Sequence, residues 1–211
     1  MNPPKPIVFL VDDELPVRKA VGRLLRSAGI EVSDFGSPKE FLAVFDPATP
    51  GCLVLDVAMP DLNGLELQRA LAERGSSLPI IFLTGRADIP MSVQAMKGGA
   101  IDFLTKPIND VDLLAAIHQA LTTDHAARQV SLELEEERGR LATLTSRERE
   151  VLGHVVSGQL NKQIAADLGI VEQTIKVHRA RVMEKMGVRS VADLTRLAAR
   201  LGITSPGTSA A

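Results

Sequence analysis

Short apolar segments alternate with amphipathic segments over the first 121 residues of the chain. Most of the apolar runs are uninterrupted, as expected for strands that are buried on both faces of a sheet. The segments between them repeat apolar residues at helical spacing. This strict alternation of strands and helices predicts a parallel sheet with helices on both faces. The predicted strands are Ile7–Val11, Ile30–Phe35, Cys52–Val57, Pro79–Thr84 and Asp102–Leu104.

Residues with strong positional preferences mark the predicted helix ends in this part of the chain. Pro16 suits the first turn of the helix after the first strand, and Gly29 suits its end. Asn109 is expected to cap the last helix, which we expect to run through Leu121. We therefore predict one α/β domain over residues 1–121.

Residues 122–143 differ because they lack Pro and crowd six charged side chains between positions 133 and 140. Apolar residues recur there at heptad spacing, but Glu137 interrupts the stripe. The pattern predicts a helical linker, and both a weak coiled coil and a solvated connector without a pairing function remain open. The heptad positions are Ala127, Val130, Leu134, Leu141 and Leu144.

From Leu144 onward the apolar pattern is helical throughout. Glycines follow the second and third apolar stripes, where they suit helix ends. We predict an all-α domain of four helices over residues 144–203 and a small, polar, disordered tail over residues 204–211. The four helices are expected at about Thr145–Ser157, Asn161–Leu168, Val171–Met186 and Ser190–Leu201.

Composition adds a difference in charge between these two domains. The net charge of the chain is −2, but residues 1–121 carry 11 Lys and Arg residues against 15 Asp and Glu residues. Residues 144–211 carry 10 basic residues against 6 acidic residues. This asymmetry favours two domains with different partners, of which the basic domain binds a polyanion.

Other features of the composition favour the cytoplasm and predict no membrane association. No apolar run approaches the roughly 18 residues that span a bilayer. The N-terminus lacks the apolar core of a signal peptide. Cys52 is the single cysteine, so it cannot form an intrachain disulfide, and its place in an apolar strand indicates a packing role.

Carboxylates follow two of the predicted strands directly. Asp12 and Asp13 come after the first strand, and Asp56 lies near the end of the third strand. In a parallel sheet, ligands bind outside the carboxyl ends of the strands, where the strand order reverses. With the order 2-1-3-4-5, these carboxylates would converge, and Thr84 and Lys106 would join them from the fourth and fifth strands.

Three converging carboxylates repel one another unless they are protonated or bind a hard divalent cation. Mg²⁺ suits such a site because it takes a few oxygens and keeps several waters. A carboxylate beside Mg²⁺ can attack a phosphoryl group to give an aspartyl phosphate. Lys106 would supply a cation and Thr84 a hydroxyl donor. Each feature alone is an ordinary structural one, and only their combination indicates this chemistry.

The segment from about residue 5 to residue 121 resembles the receiver domain of bacterial response regulators. That domain is flavodoxin-like and doubly wound, with a five-stranded parallel sheet. The resemblance implies that Asp56 accepts a phosphoryl group from the histidine of a sensor kinase. It implies that Asp12 and Asp13 organise Mg²⁺, with Asp56 and the backbone carbonyl of Ala58 as further ligands. It rests on Val11–Asp13, Asp56–Pro60, Thr84–Gly85 and Phe103–Pro107.

The same resemblance implies a conformational switch beside the phosphoryl group. Thr84 and Lys106 would contact the phosphoryl oxygens, Thr84 would move toward them, and Phe103 would rotate inward behind it. A cis peptide bond before Pro107 is also implied. Arg86 lies two residues after Thr84, and we hypothesise that it tunes the lifetime of the aspartyl phosphate.

The segment from Asn161 to His178 has helix-turn-helix form. Gly169 permits a tight turn between the two predicted helices, and the second helix has an apolar and a polar face. Such a helix could lie in the major groove of DNA, with cations on phosphates and selected side chains on base edges. An amphipathic helix in any small bundle has the same spacing, so spacing alone leaves both interpretations open.

Residues 144–201 resemble the NarL/LuxR-type helix-turn-helix domain through Leu144–Leu152, Asn161–Ala165 and Thr174–His178. With the receiver, the resemblance to FixJ-like regulators covers nearly the full length of the chain. By position, it implies base-edge readers at Lys176 and Val177 and contacts to phosphates from neighbouring residues. The implied DNA-binding residues are Lys162, Thr174, Lys176, Val177, Arg179 and Arg181.

Together these features predict a transcription factor of a two-component system that is not an enzyme. Phosphorylation of Asp56 would favour a state that dimerises through the fourth helix and fifth strand and binds DNA. The implied partners are a sensor histidine kinase, promoter DNA, RNA polymerase and a second copy of the chain. One alternative is an aspartate-nucleophile phosphohydrolase, although such enzymes place a second Asp where this chain has Ala58. A phosphorylation-independent scaffold is the other.

Overall fold

A computed structural model describes residues 5–60, 62–85 and 89–203 of the chain. The chain divides into two compact units, Met1–Arg128 and Gln129–Ala211. Arg86 and the predicted tail at 204–211 lie outside the described residues.

The first unit contains a parallel sheet whose strand order is β2-β1-β3-β4-β5. This confirms the predicted doubly wound order, in which the chain runs outward in both directions from β1. Within the described residues the strands are β1 (Ile7–Val11), β2 (Glu31–Phe35), β3 (Gly51–Asp56), β4 (Ile80–Thr84) and β5 (Asp102–Thr105).

Helices cover both faces of the sheet because the central strands are apolar on both sides. In β3, Leu53 and Leu55 belong to one buried cluster, while Cys52 and Val54 belong to the other. Residues of α1 and α5 pack on the Cys52 face, and residues of α2, α3 and α4 pack on the Leu53 face. These helices are α1 (Leu15–Ser27), α2 (Pro38–Val44), α3 (Gly64–Glu73), α4 (Ile89–Lys97) and α5 (Asp110–Ala142).

The prediction that α5 ends at Leu121 is wrong, since the helix runs without interruption to Ala142. Asp124, three residues past the predicted end, is 2% exposed and accepts a hydrogen bond from the backbone N–H of Gly51 at 3.0 Å. Arg128 pairs with Asp124 at 2.8 Å and also binds the loop before β3. The first turns of the predicted linker therefore pack as part of the first unit.

The second unit contains four helices within its described residues, as predicted: α6 (Ser146–Val156), α7 (Asn161–Leu168), α8 (Glu172–Met186) and α9 (Val191–Arg200). Thr145 and Glu148 form a capping box at the start of α6. Gly169 and Gly187 end α7 and α8 in the left-handed conformation, with φ of 66° and 68°, which glycine adopts without strain.

The end of α5 belongs to the core of this second unit. Leu144 is buried in the apolar cluster of the four helices, and Leu141 packs against it. Glu137, the residue that interrupts the heptad stripe, is 13% exposed and forms an ion pair with Arg200 on α9. Val130, by contrast, is 65% exposed. Two of the five heptad positions, Leu141 and Leu144, thus pack within the second unit.

Candidate functional site

The register of the sheet places carboxylates of two neighbouring strands side by side. Val11 is paired with Leu55, so Asp12 lies level with Asp56 at the carboxyl ends of β1 and β3. Asp12 is fully buried and Asp56 is 3% exposed, whereas Asp13 is exposed. Ligand oxygens of these three Asp residues all lie within 4.8 Å of one another. The predicted acidic cluster is therefore present.

The next two strands extend the site along the same edge of the sheet. Asp56 is paired with Leu83, so Thr84 lies one residue further on, and Thr84 is 3% exposed. The backbone N–H of Lys106 donates to the carbonyl of Thr84 at 2.7 Å, which draws the end of β5 to the site. The Lys106–Pro107 peptide bond is cis, as the resemblance implied.

The ammonium group of Lys106 lies among three carboxylates. Its Nζ is 2.8 Å from Asp12 Oδ2, 2.9 Å from Glu14 Oε1 and 3.4 Å from Asp56 Oδ1. The Glu14 contact has good hydrogen-bond geometry, whereas the Asp12 and Asp56 contacts are ion pairs without a well-aligned donor. Lys106 therefore links both buried carboxylates and one exposed carboxylate in the same cluster.

Burial and charge act against each other on these ionisable groups. Burial raises the pKa of Asp56, the attraction of Lys106 lowers it, and the neighbouring Asp12 raises it again, with a net rise. Burial alone would lower the pKa of Lys106, but its contacts with Asp12, Glu14 and Asp56 outweigh burial and raise it. Lys106 is therefore a permanent cation at neutral pH.

The carboxylate set fits a hard divalent cation. Asp12 Oδ2 and Asp56 Oδ1 are buried without a hydrogen-bond partner among the described residues. Buried carboxylate oxygens are costly when they are not hydrogen-bonded or bound to a cation. Oxygen ligands at this spacing are those that Mg²⁺ prefers. Ala58, whose carbonyl was also predicted to serve, follows Asp56 by two residues and is exposed.

A glycine allows α3 to begin close to the site. A Cβ at Gly64 would lie 2.5 Å from the backbone oxygen of Asp56 and 3.0 Å from the ring of Phe82. The N–H of Gly64 donates to the carbonyl of Val57 at 3.0 Å. Gly64 therefore permits a close approach that fixes the backbone just after Asp56. Phe103, the predicted switch residue, is half-buried with its ring 6.3 Å from that of Phe82.

The second unit presents the helix-turn-helix that the sequence predicted. Helix α7 ends at Leu168, Gly169 makes the turn, and Ile170 packs against the core before α8 begins. Ile175, Val182 and Met186 of α8 are buried in that core. The opposite face of α8 remains exposed, as a DNA-reading helix requires.

The predicted DNA-binding residues all lie on α7 and α8, but their surroundings differ. Arg179 is half-buried and donates from Nη1 to Asn161 Oδ1 at 2.6 Å, so it ties α8 to the start of α7. Lys176 lies 3.4 Å from Glu172 one turn earlier. Val177 is 43% exposed. Of the others, Lys162 and Arg181 are exposed and Thr174 is half-buried.

Comparison with known proteins decides the family. Residues 8–118 match the family of the response regulator receiver domain, and residues 142–198 match the luxR family of bacterial regulatory proteins. The chain belongs to the response regulators. It carries a receiver joined to a LuxR-type DNA-binding domain, and it is a phosphorylation-activated transcription regulator.

Relatives of this response regulator match it over most of their length. It is 46% identical to Nodulation protein W of Bradyrhizobium diazoefficiens over 201 residues, which cover 95% of this chain and 88% of that protein. It is 44% identical to the transcriptional regulatory protein FixJ of Rhizobium meliloti over 191 residues, which cover 90% and 94%. The name of the second relative is that of a regulator of transcription.

Solved response regulators share the fold. The structure of the response regulator StyR matches with a TM-score of 0.84 and 46% identity, covering 93% of this chain and 99% of that one. Full-length FixJ from B. japonicum matches with a TM-score of 0.58 and 38% identity, covering 96% and 100%. Within the described ranges, none of the helices of this response regulator combines the length and apolar character that crossing a bilayer requires.

Two residues at these sites were missed by sequence reasoning. Glu14 follows Asp12 and Asp13 directly, and the run of three acidic residues was a signal for it. Asn161 was read as part of the helix-turn-helix segment, but its bond to Arg179 depends on side-chain packing that spacing does not reveal.

Proposed function

We propose that Asp56 is the phosphoacceptor of this response regulator. The observation that carries the proposal is the convergence of Asp12, Asp13 and Lys106 on Asp56 at the carboxyl ends of neighbouring strands. Asp56 is the carboxylate that Lys106 contacts least closely, at 3.4 Å, so it remains the most available to a reacting group.

In the proposed reaction, a carboxylate oxygen of Asp56 attacks the phosphorus of a phosphohistidine on a sensor kinase. The new O–P bond forms as the P–N bond breaks, and the departing imidazole nitrogen takes up a proton. Lys106 neutralises charge on the transferred phosphoryl oxygens, and the Thr84 hydroxyl donates a hydrogen bond to one of them. The buried setting strengthens both interactions, since water screens them little.

Asp12, Asp13 and Asp56 would hold Mg²⁺, with the backbone carbonyl of Ala58 as a further ligand. Bound Mg²⁺ would neutralise charge on the carboxylates and on the phosphoryl oxygens. The fit is supported by two buried carboxylate oxygens, on Asp12 and Asp56, that share the ammonium of Lys106 and have no aligned hydrogen bond within the described part of the chain.

The output of the receiver is proposed to be a change in dimerisation. Thr84 would shift toward the phosphoryl group and Phe103 would turn inward, which alters the surface of α4 and β5. A second copy of the chain would dock on that surface. Phe103 is half-buried in this structure, so turning inward would bury more of its ring.

The DNA-binding domain is proposed to place α8 in the major groove of promoter DNA. Lys176 and Val177 would reach base edges, and Lys162, Thr174 and Arg181 would contact phosphates. Arg179 is better placed to orient Asn161 than to read bases, because its guanidinium already donates to Asn161. The basic charge of one domain is modest, so two copies on two half-sites would bind more firmly.

The remaining partners follow from this assignment. The chain would act in the cytoplasm, where a cognate sensor histidine kinase would supply the phosphoryl group. RNA polymerase is the partner through which DNA occupancy would affect transcription. An aspartate-nucleophile phosphohydrolase is disfavoured because Ala58 stands where those enzymes place a second Asp as general acid. Steady release of phosphate from small phosphomonoesters would contradict this assignment.

The test of the phosphoacceptor is phosphate incorporation from a cognate kinase or acetyl phosphate into wild type and Asp56→Asn. Incorporation into the wild type alone, with phosphate-stimulated DNA occupancy, supports the proposal. Equal incorporation into both proteins refutes it.

A second test addresses DNA contact. Lys176→Ala should weaken DNA binding and change its sequence preference, whereas Lys19→Ala, which removes the same charge from α1 of the receiver, should do neither. Equal binding by all three proteins would refute the assignment of α8.

A further inference from the structure

Glu14 occupies the N-cap position of α1 but does not use its side chain to cap the helix. Acidic N-cap residues commonly accept hydrogen bonds from the first turn. Here the Glu14 carboxylate instead accepts a hydrogen bond from Lys106 at 2.9 Å, across 92 positions of sequence. The backbone N–H of Glu14 donates to Asp12 Oδ1 at 2.8 Å, which holds Glu14 beside the acidic cluster.

Glu14 is the partner that Lys106 can release most readily. Lys106 Nζ lies within ion-pair distance of three carboxylates, those of Asp12, Glu14 and Asp56, and its well-aligned hydrogen bond goes to Glu14. Asp12 is fully buried, so water cannot replace the Lys106 ammonium beside its carboxylate. Asp56 is the residue to which the phosphoryl group is transferred. Glu14 is 58% exposed, so water can replace the ammonium at little cost.

We propose that Glu14 is a positioning residue that holds Lys106 in the resting state and competes with the phosphoryl group for it. The inference rests on the proposed function of Asp56. When Asp56 is phosphorylated, Lys106 leaves Glu14, its hydrogen bond turns to a phosphoryl oxygen, and water solvates the Glu14 carboxylate. Glu14 thereby stabilises the unphosphorylated receiver selectively, which sets a threshold for activation.

The size of the expected effect follows from the exposure of Glu14. Partly exposed ion pairs change equilibria only modestly, so loss of this one should favour phosphorylation about two- to fivefold. The change Glu14→Gln preserves the shape of the side chain and removes its charge. Glu73→Gln on α3 is a matched control, because Glu73 is exposed and the substitution changes net charge equally.

The experiment measures the rate of phosphorylation of the full chain by acetyl phosphate in the presence of Mg²⁺. Glu14→Gln should react about two- to fivefold faster than wild type, and Glu73→Gln should react at the wild-type rate. In a Lys106→Ala background, Glu14→Gln should have no further effect, because Glu14 acts through Lys106.

Three outcomes would overturn the inference. They are equal rates for wild type and Glu14→Gln, a slower Glu14→Gln protein, and the same acceleration with and without Lys106. Equal acceleration with and without Lys106 would show that Glu14 simply repels the anionic acetyl phosphate.

Should Lys106→Ala react too slowly to measure, the affinity for beryllofluoride, followed by fluorine NMR, supplies the same comparison without phosphoryl transfer. The Asp56→Asn variant distinguishes failure of the Asp56 proposal from failure of the Glu14 proposal. Incorporation into Asp56→Asn refutes the phosphoacceptor, whereas unchanged Glu14→Gln rates with normal Asp56 chemistry refute only the role of Glu14.

Discussion

An ion pair between the buried Asp124 and the partly exposed Arg128 joins the middle of α5 to the start of the strand that carries Asp56. Asp124 is 2% exposed, and its Oδ2 accepts from the N–H of Gly51 at 3.0 Å and from Nε of Arg128 at 2.8 Å. The guanidinium of Arg128 also donates to three loop carbonyls, those of Pro47, Ala48 and Thr49, at 3.1, 2.9 and 2.7 Å. We expect Asp124→Ala to destabilise the first unit strongly.

The magnitude follows from the groups that lose their partners. A buried N–H without an acceptor costs about 1–3 kcal/mol, and a hydrogen bond to a charged group contributes about 1.5–3 kcal/mol. Arg128 is 27% exposed and keeps its three carbonyl contacts, so the loss comes mainly from these two hydrogen bonds, and we expect a total of about 3–5 kcal/mol. Asp124→Asn keeps an acceptor oxygen in the same place and should cost less.

Cys52 provides the assay, because the chain contains no Trp or Tyr. The Cys52 side chain is fully buried, and burial, with the nearby Asp124, raises the pKa of its thiol to about 12. Alkylation of Cys52 therefore requires opening of the first unit and follows the population of the open form. Because 1.4 kcal/mol corresponds to a factor of ten, Asp124→Ala should accelerate alkylation by about 100- to 4,000-fold.

Asp112→Ala is the matched control for this substitution, since Asp112 lies on the same helix but is exposed. It should change the alkylation rate by less than about tenfold, as expected for the loss of a favourable charge near a helix start. An Asp124→Ala rate within tenfold of wild type would refute the reasoning. Should Asp124→Ala fail to fold, a rate for Asp124→Asn between those of wild type and the fully unfolded chain is the result expected.

Three further predictions concern other parts of the chain. A receiver fragment that ends at Leu121 should unfold at lower urea concentration than one that ends at Arg128, and equal midpoints would contradict the role of the ion pair. Hydrogen bonds from Lys185 and from the start of α6 lower the pKa of Glu148 to about 2. Because this pKa lies below its ordinary value of 4.5, the advantage of wild type over Glu148→Gln, about 2 kcal/mol, should be complete above about pH 5 and vanish as the pH falls toward 2. A pH-independent difference in urea unfolding, followed by circular dichroism, would contradict this. Gly64→Ala should slow phosphate incorporation and destabilise the chain by about 1–3 kcal/mol, and wild-type behaviour in both assays would show that α3 can move aside.

The strands and helices of both units were predictable because each depends on local pattern. Strand β1 was predicted with its observed bounds, and so was α7, whose end at Gly169 requires a left-handed residue. The strand order came with the resemblance to receiver domains, and it makes the first and third strands neighbours at the switch point of the sheet. The convergence of Asp12 and Asp56 followed from that order alone.

The end of α5 could not be predicted from pattern because the decisive partners are distant in sequence. Asp124 falls within the predicted linker at residues 122–143, yet its partner Gly51 lies 73 positions earlier. Glu137 likewise looked like a break in a coiled-coil stripe, although it pairs with Arg200. A charged residue on a helix is normally solvated, and only packing shows where one is buried instead.

Sequence by itself determined most of the elements and the identity of the acidic cluster, since periodicity, glycine positions and strand ends are local properties. Tertiary structure decided which charges meet. It brought three pairs into hydrogen-bond contact: Glu14 with Lys106, Asp124 with Gly51, and Arg179 with Asn161. Long side chains reach several ångströms in many directions, so their partners depend on distances between elements, and those distances exist only once the chain has folded.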